Sequence, residues 1–167
     1  MSIVDFSRLC YNSRDPPWVV KIMIRPFALT DLGRILEIEQ HSFPKSPYPQ
    51  SMFLQLHWLY PKTFWVYIEQ PRNQKGEEIC GYLIFSEDGH LISIAIHPHH
   101  RRKGIGETLL QKALAALPNR KIWAEVRRSN PGALAFYQTI GFQVVGVLSN
   151  YYGDEDALIV QWTPPSQ

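Results

Sequence analysis

One junction constrains the fold of this chain more than any other part of its sequence. An apolar strand pattern at residues 90–96 leads into Arg101-x-x-Gly104-x-Gly106, and an amphipathic helix pattern follows at residues 105–116. The two glycines allow a tight turn between strand and helix. The first amides of a helix lack intrahelical partners and lie at the positive end of its dipole. The junction therefore predicts a binding site for an anion such as phosphate.

The remaining segments predict an α/β domain. Residues 22–26 resemble a strand, and Thr30 is expected to cap a helix that ends near residue 41. Further along the chain we expect a helix at 50–59, strands at 64–69, 79–86 and 90–96, the helix at 105–116, a strand at 121–126, a helix at 131–140, and strands at 142–148 and 157–162. The order β-α-α-β-β-β-α-β-α-β-β predicts a mixed, mostly antiparallel sheet, parallel where a helix intervenes and flanked by helices.

Length and charge limit the classes of function. A chain of 167 residues with 45% hydrophobic content is long enough for one core, so we expect a single domain at residues 22–163. Residues 1–21 are expected to form an N-terminal extension and residues 164–167 a tail, and the sequence leaves open whether Met23 is the natural start. The net charge is only +2, and a cluster of basic residues at 101–103 favours a local anion site over a nucleic-acid surface.

The sequence also predicts a cytoplasmic protein without a membrane partner. The N-terminal residues lack the apolar core of a secretory signal, and no stretch approaches the roughly 20 apolar residues of a membrane span. The two cysteines, Cys10 and Cys80, lie far apart, and Cys80 falls in an apolar run. A disulfide is therefore not expected.

Three histidines near the junction raise the question of a metal. His97 and His99 alternate along an extended segment, and His100 follows. No Cys, Asp or Glu accompanies them at a spacing typical of zinc sites, which need four ligands when they are structural. The sequence therefore predicts no metal, with the histidines in a solvated loop beside the anion site.

The junction also carries a resemblance to a known family. Arg101-x-x-Gly104-x-Gly106 matches the Gln/Arg-x-x-Gly-x-Gly/Ala signature of the GNAT superfamily of N-acetyltransferases. Residues 22–162 are similar to the protein N-terminal acetyltransferases, especially the RimI type that modifies the alanine of a ribosomal protein. The residues that carry this closer likeness are Ala124-Glu125-Val126-Arg127-Arg128-Ser129-Asn130, Ala133, Phe136-Tyr137, Gly141-Phe142, and Tyr151-Tyr152 with Glu155-Asp156-Ala157. The resemblance implies the GNAT fold, in which the sheet splays at a parallel strand pair.

The resemblance further implies acetyl-CoA as a cosubstrate, and no metal. Backbone N–H groups of residues 102–106 can face its diphosphate, and the absence of a Gly-Lys-Ser/Thr ending disfavours ATP. The expected contacts are Arg101, Arg102, Lys103, Gly104, Ile105 and Gly106, with Ile94 and Ile96 on the splayed strand beside the pantetheine arm. Asn130 is expected either to contact the cofactor or only to cap the helix at 131–140. The alternative for the junction is an ordinary helix start with solvated basic residues.

Two residues are candidates for catalysis. An α-amino group has a pKa of about 8, so a modest base suffices to deprotonate it. Glu125, late in its strand, is the best candidate for that base, and the resemblance implies the same role even though Ala124 replaces a leucine of the family pattern. The resemblance makes Tyr137 the acid that protonates the departing thiolate. The alternatives are a solvated Glu125 and a core Tyr137. Neither cysteine falls at a matching site position, which favours direct attack in a ternary complex.

The acceptor site is implied by the resemblance alone. The family holds its acceptor between the loop of the first two helices and the hairpin of the last two strands, which here contribute Phe43, Tyr48, Tyr151 and Tyr152. Glu39 is expected to be a second carboxylate at this site or a member of a buried ion pair, and Glu155 and Asp156 to attract a cationic N-terminus or only to stabilise a turn. We expect a monomer or weak dimer that acts on a protein N-terminus, with a small-subunit ribosomal protein as the suggested acceptor and no direct contact with nucleic acid. The alternatives are acetylation of a small-molecule amine and a non-catalytic CoA-binding module.

Overall fold

The computed structural model describes residues 20–71 and 76–165. Residues 1–19, which make up most of the expected N-terminal extension, lie outside the described residues, as do 72–75 and 166–167. Within the described ranges, none of the helices has both the length and the apolar character needed to cross a bilayer.

The predicted order of helices and strands is confirmed. The elements are β1 (Val20–Pro26), α1 (Leu32–Ser42), α2 (Gln50–Leu59), β2 (Phe64–Pro71), β3 (Glu78–Phe85), β4 (Leu91–Ile96), α3 (Ile105–Ala116), β5 (Ile122–Arg127), α4 (Pro131–Thr139), β6 (Gln143–Leu148) and β7 (Ala157–Trp162).

The start of the first helix differs from the prediction. Thr30 lies inside a short 3-10 turn, and α1 begins only at Leu32. The polar side chain that orders this turn is Asp31, which accepts a hydrogen bond from the backbone N–H of Ala28 at 2.8 Å and pairs with Arg25 at 2.7 Å. An ion pair with the preceding strand therefore replaces the expected cap, because Asp31 satisfies both a backbone donor and a buried charge.

The strands form two antiparallel groups with a gap between them. One group has the order β1-β2-β3-β4 and the other β5-β7-β6. Among the described residues a single parallel bridge, between His90 and Trp123, joins them, and the Trp123 N–H donates to the Gly89 carbonyl at 3.0 Å. Gly89 is required at this joint, since a Cβ there would lie 2.2 Å from the carbonyl oxygen of Lys121. The expected splay at a parallel strand pair is confirmed.

The central strands β2 and β3 are buried on both faces by helices. Along β2, Trp65 and Tyr67 face the core cluster that includes α3, while the alternate residues Phe64 and Val66 face the cluster that includes α1 and α2. This alternation follows from the two-residue period of a strand. β3 lies between the helix layers and is buried along nearly its whole length. The bridge between His90 and Trp123 lies at the start of β4 and of β5, and the gap opens beyond it.

Candidate active site

A carboxylate and an imidazole pair across the gap between the two strand groups. Glu125 lies near the end of β5, and its Oε2 atom is 2.7 Å from Nε2 of His90. The His90 ring stacks on Trp123 with ring centroids 5.4 Å apart and an interplanar angle of 11°. Both side chains of the pair are partly accessible, 17% exposed for Glu125 and 32% for His90. The carboxylate expected on β5 is therefore held in place by a histidine and remains open to the gap.

The pairing moves both pKa values in opposite directions. The hydrogen bond from His90 holds the pKa of Glu125 below its ordinary value, and burial only partly opposes this. The same hydrogen bond raises the pKa of His90 above its ordinary value. Glu125 is therefore a weaker base than a free glutamate, whereas His90 binds a proton more tightly than a free imidazole. A proton that arrives here therefore binds to His90, and the Glu125 carboxylate stabilises the imidazolium.

The pair should stabilise the fold in a limited pH range. The Glu125 carboxylate stabilises the fold above pH 4.5, the ordinary pKa of a glutamate. This contribution is lost as the pH falls through the lowered pKa of Glu125. The protonated His90 ring stabilises the fold below pH 6.5, the ordinary pKa of a histidine. This contribution is lost as the pH rises through the raised pKa of His90. We expect His90→Phe, which keeps a ring over Trp123, to lower the free energy of unfolding most between these two values. Urea unfolding at several pH values measures this, and a loss that does not vary with pH would contradict it.

Tyr137 lies on α4, the helix that follows β5. The helix begins after Asn130, whose Oδ1 accepts a hydrogen bond from the Ala133 N–H at 3.0 Å, so the expected cap is confirmed. The ring of Tyr137 is buried against Phe142, with centroids 5.2 Å apart. Burial raises the pKa of Tyr137, and the nearby Tyr152 and Glu125 raise it further. Its hydroxyl has no hydrogen-bond partner among the described residues and stays protonated at neutral pH.

The junction before α3 has the geometry of an anion site. Arg102 and Gly104 both have left-handed backbone angles, with φ of 64° and 77°. In the part of the chain that the structure describes, the N–H groups of residues 104–106 donate to no backbone carbonyl. Gly106 lets α3 pack closely on α4, since a Cβ there would lie 3.2 Å from the ring of Phe136. Turned peptide units with free N–H groups form concave sites that favour anions.

The three basic residues of this junction differ in their surroundings. The guanidinium of Arg101 turns back onto the protein, where Nε donates to the Ile96 carbonyl at 2.9 Å and Nη2 to the Ser42 hydroxyl at 3.0 Å. Arg102 and Lys103 are exposed. Arg101 thus ties the junction to the ends of β4 and α1. The guanidinium of Arg102 stays available to an anion, while the ammonium group of Lys103 lies 3.5 Å from Nδ1 of His100.

Glu39 holds the loop between α1 and α2, where the acceptor is expected to bind. This carboxylate is only 2% exposed and accepts hydrogen bonds from the Tyr48 N–H at 2.8 Å and from the buried hydroxyl of Tyr82. Burial raises the pKa of Glu39, and these two hydrogen bonds oppose the rise. Its partners are a backbone amide and a hydroxyl rather than a cation. Phe43 directly follows α1 and packs, partly buried, against the core cluster that includes α1 and α2. Glu39 therefore fixes the position of Tyr48.

Arg127 connects this loop to the hairpin between β6 and β7. Its Nη2 donates to the Ser46 hydroxyl at 3.0 Å, and its Nη1 donates to Glu155 at 2.8 Å. The guanidinium also lies 4.1 Å above the ring of Tyr152, whose hydroxyl donates to the Glu125 carbonyl at 3.3 Å. Hydrogen bonds from Arg127 and Ser129 lower the pKa of Glu155 to about 2. The Glu155 carboxylate is thus engaged within the protein.

Two further residues of the hairpin complete this region. Asp156 accepts a hydrogen bond from the Asn150 N–H at 2.9 Å and pairs with Arg128 at 3.0 Å, so it too is engaged within the protein. Tyr151 is 51% exposed, and its ring stands at 90° to that of Tyr152. Tyr151 and Tyr152 therefore present both an apolar surface and hydroxyl groups at the open end of the gap.

His90 is the functional candidate that sequence reasoning missed. It directly follows the Asp88-Gly89 turn, so it could be placed at the start of a strand. Its position opposite β5 depends on the register of the parallel bridge with Trp123, and a single sequence does not reveal register between distant strands. The signal available was a polar, titratable residue at the entrance to an otherwise apolar strand.

The fold and the site define an acyl-transferring class. Residues 32–142, which include the gap between the strand groups and the junction after β4, match the acetyltransferase (GNAT) family. The chain belongs to this family and is an N-acetyltransferase.

Individual relatives resemble the chain over most of its length. A putative [ribosomal protein bS18]-alanine N-acetyltransferase of Bacillus subtilis is 34% identical over 145 residues, which cover 84% of this chain and 94% of the relative. An N-alpha-acetyltransferase of Sulfurisphaera tokodaii is 32% identical over 157 residues, which cover 82% and 90%. Among solved structures, Ard1 from Thermoplasma volcanium superposes with a TM-score of 0.75 at 27% identity and covers 87% of this chain and 99% of its own.

Proposed function

We propose that this protein transfers the acetyl group of acetyl-CoA to the α-amino group at the N-terminus of another protein. The observation that carries the proposal is the His90–Glu125 pair at the gap between β4 and β5, where Tyr152 also contacts Glu125. The names of the Bacillus and Sulfurisphaera relatives support the class of acceptor. We propose residues 22–163 as the catalytic domain.

The donor is proposed to bind along the junction and the gap. The free N–H groups of residues 104–106 would bind its diphosphate, with Arg102 and Lys103 adding charge and Arg101 holding the loop in place. The backbone of Ile94 and Ile96 borders the gap and would pair with the amides of the pantetheine arm. Asn130, at the start of α4, would lie near the same arm.

The transfer needs a base and an acid on opposite sides of the thioester. We propose that the His90–Glu125 pair takes a proton from the incoming ammonium group, which frees the nitrogen lone pair. The nitrogen then attacks the thioester carbonyl, so that a C–N bond forms and the C–S bond breaks. Tyr137 donates its proton to the departing thiolate, and the second proton of the amine restores the tyrosine. Tyr137 keeps its proton at neutral pH and so has it available for the leaving group. Its raised pKa makes it a weak acid, so the transfer is favourable only because the amine proton replaces the one it gives up.

The acceptor is proposed to lie between Tyr48 and the pair Tyr151 and Tyr152. Phe43 and Glu39 would act by shaping this slot, since Glu39 holds the Tyr48 backbone. The slot is bordered by aromatic rings and hydroxyls, which suit the backbone of a peptide. The name of the Bacillus relative makes the N-terminal alanine of a ribosomal protein the first acceptor to test.

A panel of short peptides tests the proposed function. The purified protein is given acetyl-CoA and peptides varied at their first two residues, with N-terminally blocked peptides, free lysine and polyamines as controls. We expect transfer to free peptide N-termini, with a preference set by the first residues, and none to the blocked peptides. Exclusive use of a polyamine would contradict the acceptor class, and the absence of acetyl-CoA binding in calorimetry would contradict the donor.

A further inference from the structure

Three side chains that can bind a metal converge behind the junction. Glu69 comes from β2, Cys80 from β3 and His100 from the turn after β4. One potential ligand atom from each lies within 4.8 Å of the other two. Cys80 is fully buried and His100 is 7% exposed, while the side chain of Glu69 is 18% exposed. The expected solvated loop is wrong for His97 and His100, which are 6% and 7% exposed, because the sheet packs them against residues that are distant along the chain.

The orientation of His100 suits metal binding. Its Nε2 lies 2.9 Å from Oε1 of Glu78, and a carboxylate can only accept, so Nε2 carries a hydrogen. The other ring nitrogen, Nδ1, lies 3.6 Å from Oε2 of Glu69. A histidine that donates one N–H to a carboxylate and directs the other nitrogen at a cation is the usual arrangement of a metal-bound imidazole.

The spacing between these groups also fits a small cation. A separation of 3.6 Å between Nδ1 and the Glu69 oxygen is too long for a hydrogen bond. Two ligands of a tetrahedral zinc ion, each about 2.0–2.3 Å from the metal, lie about 3.3–3.8 Å apart. The distance between Nδ1 of His100 and Oε2 of Glu69 therefore suits two ligands of one zinc ion.

A cation already lies beside Nδ1. The ammonium group of Lys103 is 3.5 Å from this atom. An ammonium group can only donate, so this contact is favourable only if Nδ1 carries a lone pair. Lys103 lies in an exposed turn, so its ammonium group can move into solvent when a metal ion binds at Nδ1. At this distance the contact is electrostatic; it agrees with the hydrogen on Nε2 and identifies Lys103 as the group that a metal ion would displace.

We propose that Cys80, His100 and Glu69 form a binding site for a divalent ion of the zinc class. The thiolate of Cys80, Nδ1 of His100 and a carboxylate oxygen of Glu69 would supply three ligands, and water would supply the fourth. Mixed sulfur and nitrogen ligands favour zinc over magnesium or calcium. The thiol loses its proton to solvent as the metal–sulfur bond forms. The bound ion would fasten the turn at Pro98–His100 to the sheet.

A second group among the described residues is less suited to a metal. It consists of Glu37, His41 and His97, of which Glu37 and His41 are exposed. Nδ1 of His97 accepts a hydrogen bond from the His99 N–H at 3.3 Å, so the hydrogen of the neutral ring lies on Nε2. That nitrogen is the one that faces Glu37, at 3.6 Å, and it has no lone pair to offer a metal. This group serves as a matched control.

Cobalt(II) spectroscopy tests the site on the full chain under reducing conditions. The protein carries Cys10→Ser, which removes the other cysteine of the sequence. We expect one equivalent of cobalt to produce a sulfur-to-cobalt charge-transfer band and tetrahedral visible bands, and zinc to displace both. The bands should disappear in Cys80→Ala and His100→Ala, persist in the control His41→Ala, and appear at lower cobalt concentration in Lys103→Ala.

Thermal unfolding with zinc provides a second measurement that does not require a disruptive variant. Glu69→Gln keeps the shape of the side chain and removes its charge. We expect zinc to raise the Tm of the parent protein more than that of Glu69→Gln. The proposal fails if the parent shows no charge-transfer band, if the band survives in His100→Ala, or if zinc raises both Tm values equally. Acetyl transfer is not measured in either experiment, so the result does not depend on the proposed function.

Discussion

Glu125→Gln is expected to lower kcat by roughly 100-fold or more, the usual contribution of a positioned acid or base. Glutamine fills the same volume on β5 and still accepts a hydrogen bond from His90, but it cannot stabilise a protonated imidazole. In the variant, His90 therefore binds the proton of the incoming ammonium group less tightly. Steady-state kinetics with a peptide acceptor measure the loss, and calorimetry should show unchanged binding of acetyl-CoA.

The matched control is Glu87→Gln, which removes an exposed carboxylate from the neighbouring hairpin. Its kcat should equal that of the parent. A second variant, His90→Gln, separates the two members of the pair. If His90 holds the proton, its loss should lower kcat as much as the loss of Glu125 does. An unchanged kcat in Glu125→Gln would remove the pair from the mechanism.

Tyr137→Phe is expected to lower kcat by a similar factor, about 100-fold, without loss of stability. The hydroxyl has no hydrogen-bond partner among the described residues, so its removal leaves no buried group unsatisfied. The ring remains packed against Phe142. Single-turnover kinetics report the loss at the chemical step, and urea unfolding should give the same free energy as for the parent.

A change of leaving group distinguishes the acid role of Tyr137 from a packing role. A thioester of a more acidic thiol needs less help from an acid when its C–S bond breaks. The rate difference between Tyr137→Phe and the parent should therefore shrink with such a donor. Tyr67→Phe, a buried tyrosine of β2, is the control and should behave like the parent with both donors. A difference that is equal for both donors would show that Tyr137 does not protonate the thiolate.

The sequence was sufficient for the order of elements and for the junction before α3. Strand and helix periodicity, the turn at Asp88-Gly89 and the glycines at 104 and 106 are local signals, and α3 begins at the predicted residue. The boundary of α1 was not predictable in the same way. Asp31 is ordered by Arg25 on a neighbouring strand, and such a contact leaves no local signature at Thr30.

The chemistry of the site was predicted less completely, because it depends on contacts between distant segments. The sequence makes Glu125 the candidate base, yet its hydrogen-bond partner His90 lies 35 positions away and depends on strand register. Likewise, Glu39 was expected beside the acceptor, whereas the structure buries it under Tyr48 with two neutral donors. The side chain of Arg101 folds back onto Ser42, a contact between residues 59 positions apart. The motifs therefore indicate which residues belong to the candidate site, whereas contacts between distant segments determine which of their atoms are free to bind a ligand.

Arg127 has a consequence for how this enzyme can change its preference. A single guanidinium touches Ser46 on one wall of the proposed slot and Glu155 on the other, and it also covers the face of Tyr152. The two walls are therefore not independent parts. An insertion or deletion in either loop would shift this shared cation and alter the opposite wall at the same time. Selectivity for a new acceptor would thus require coordinated substitutions in segments more than a hundred residues apart in the sequence.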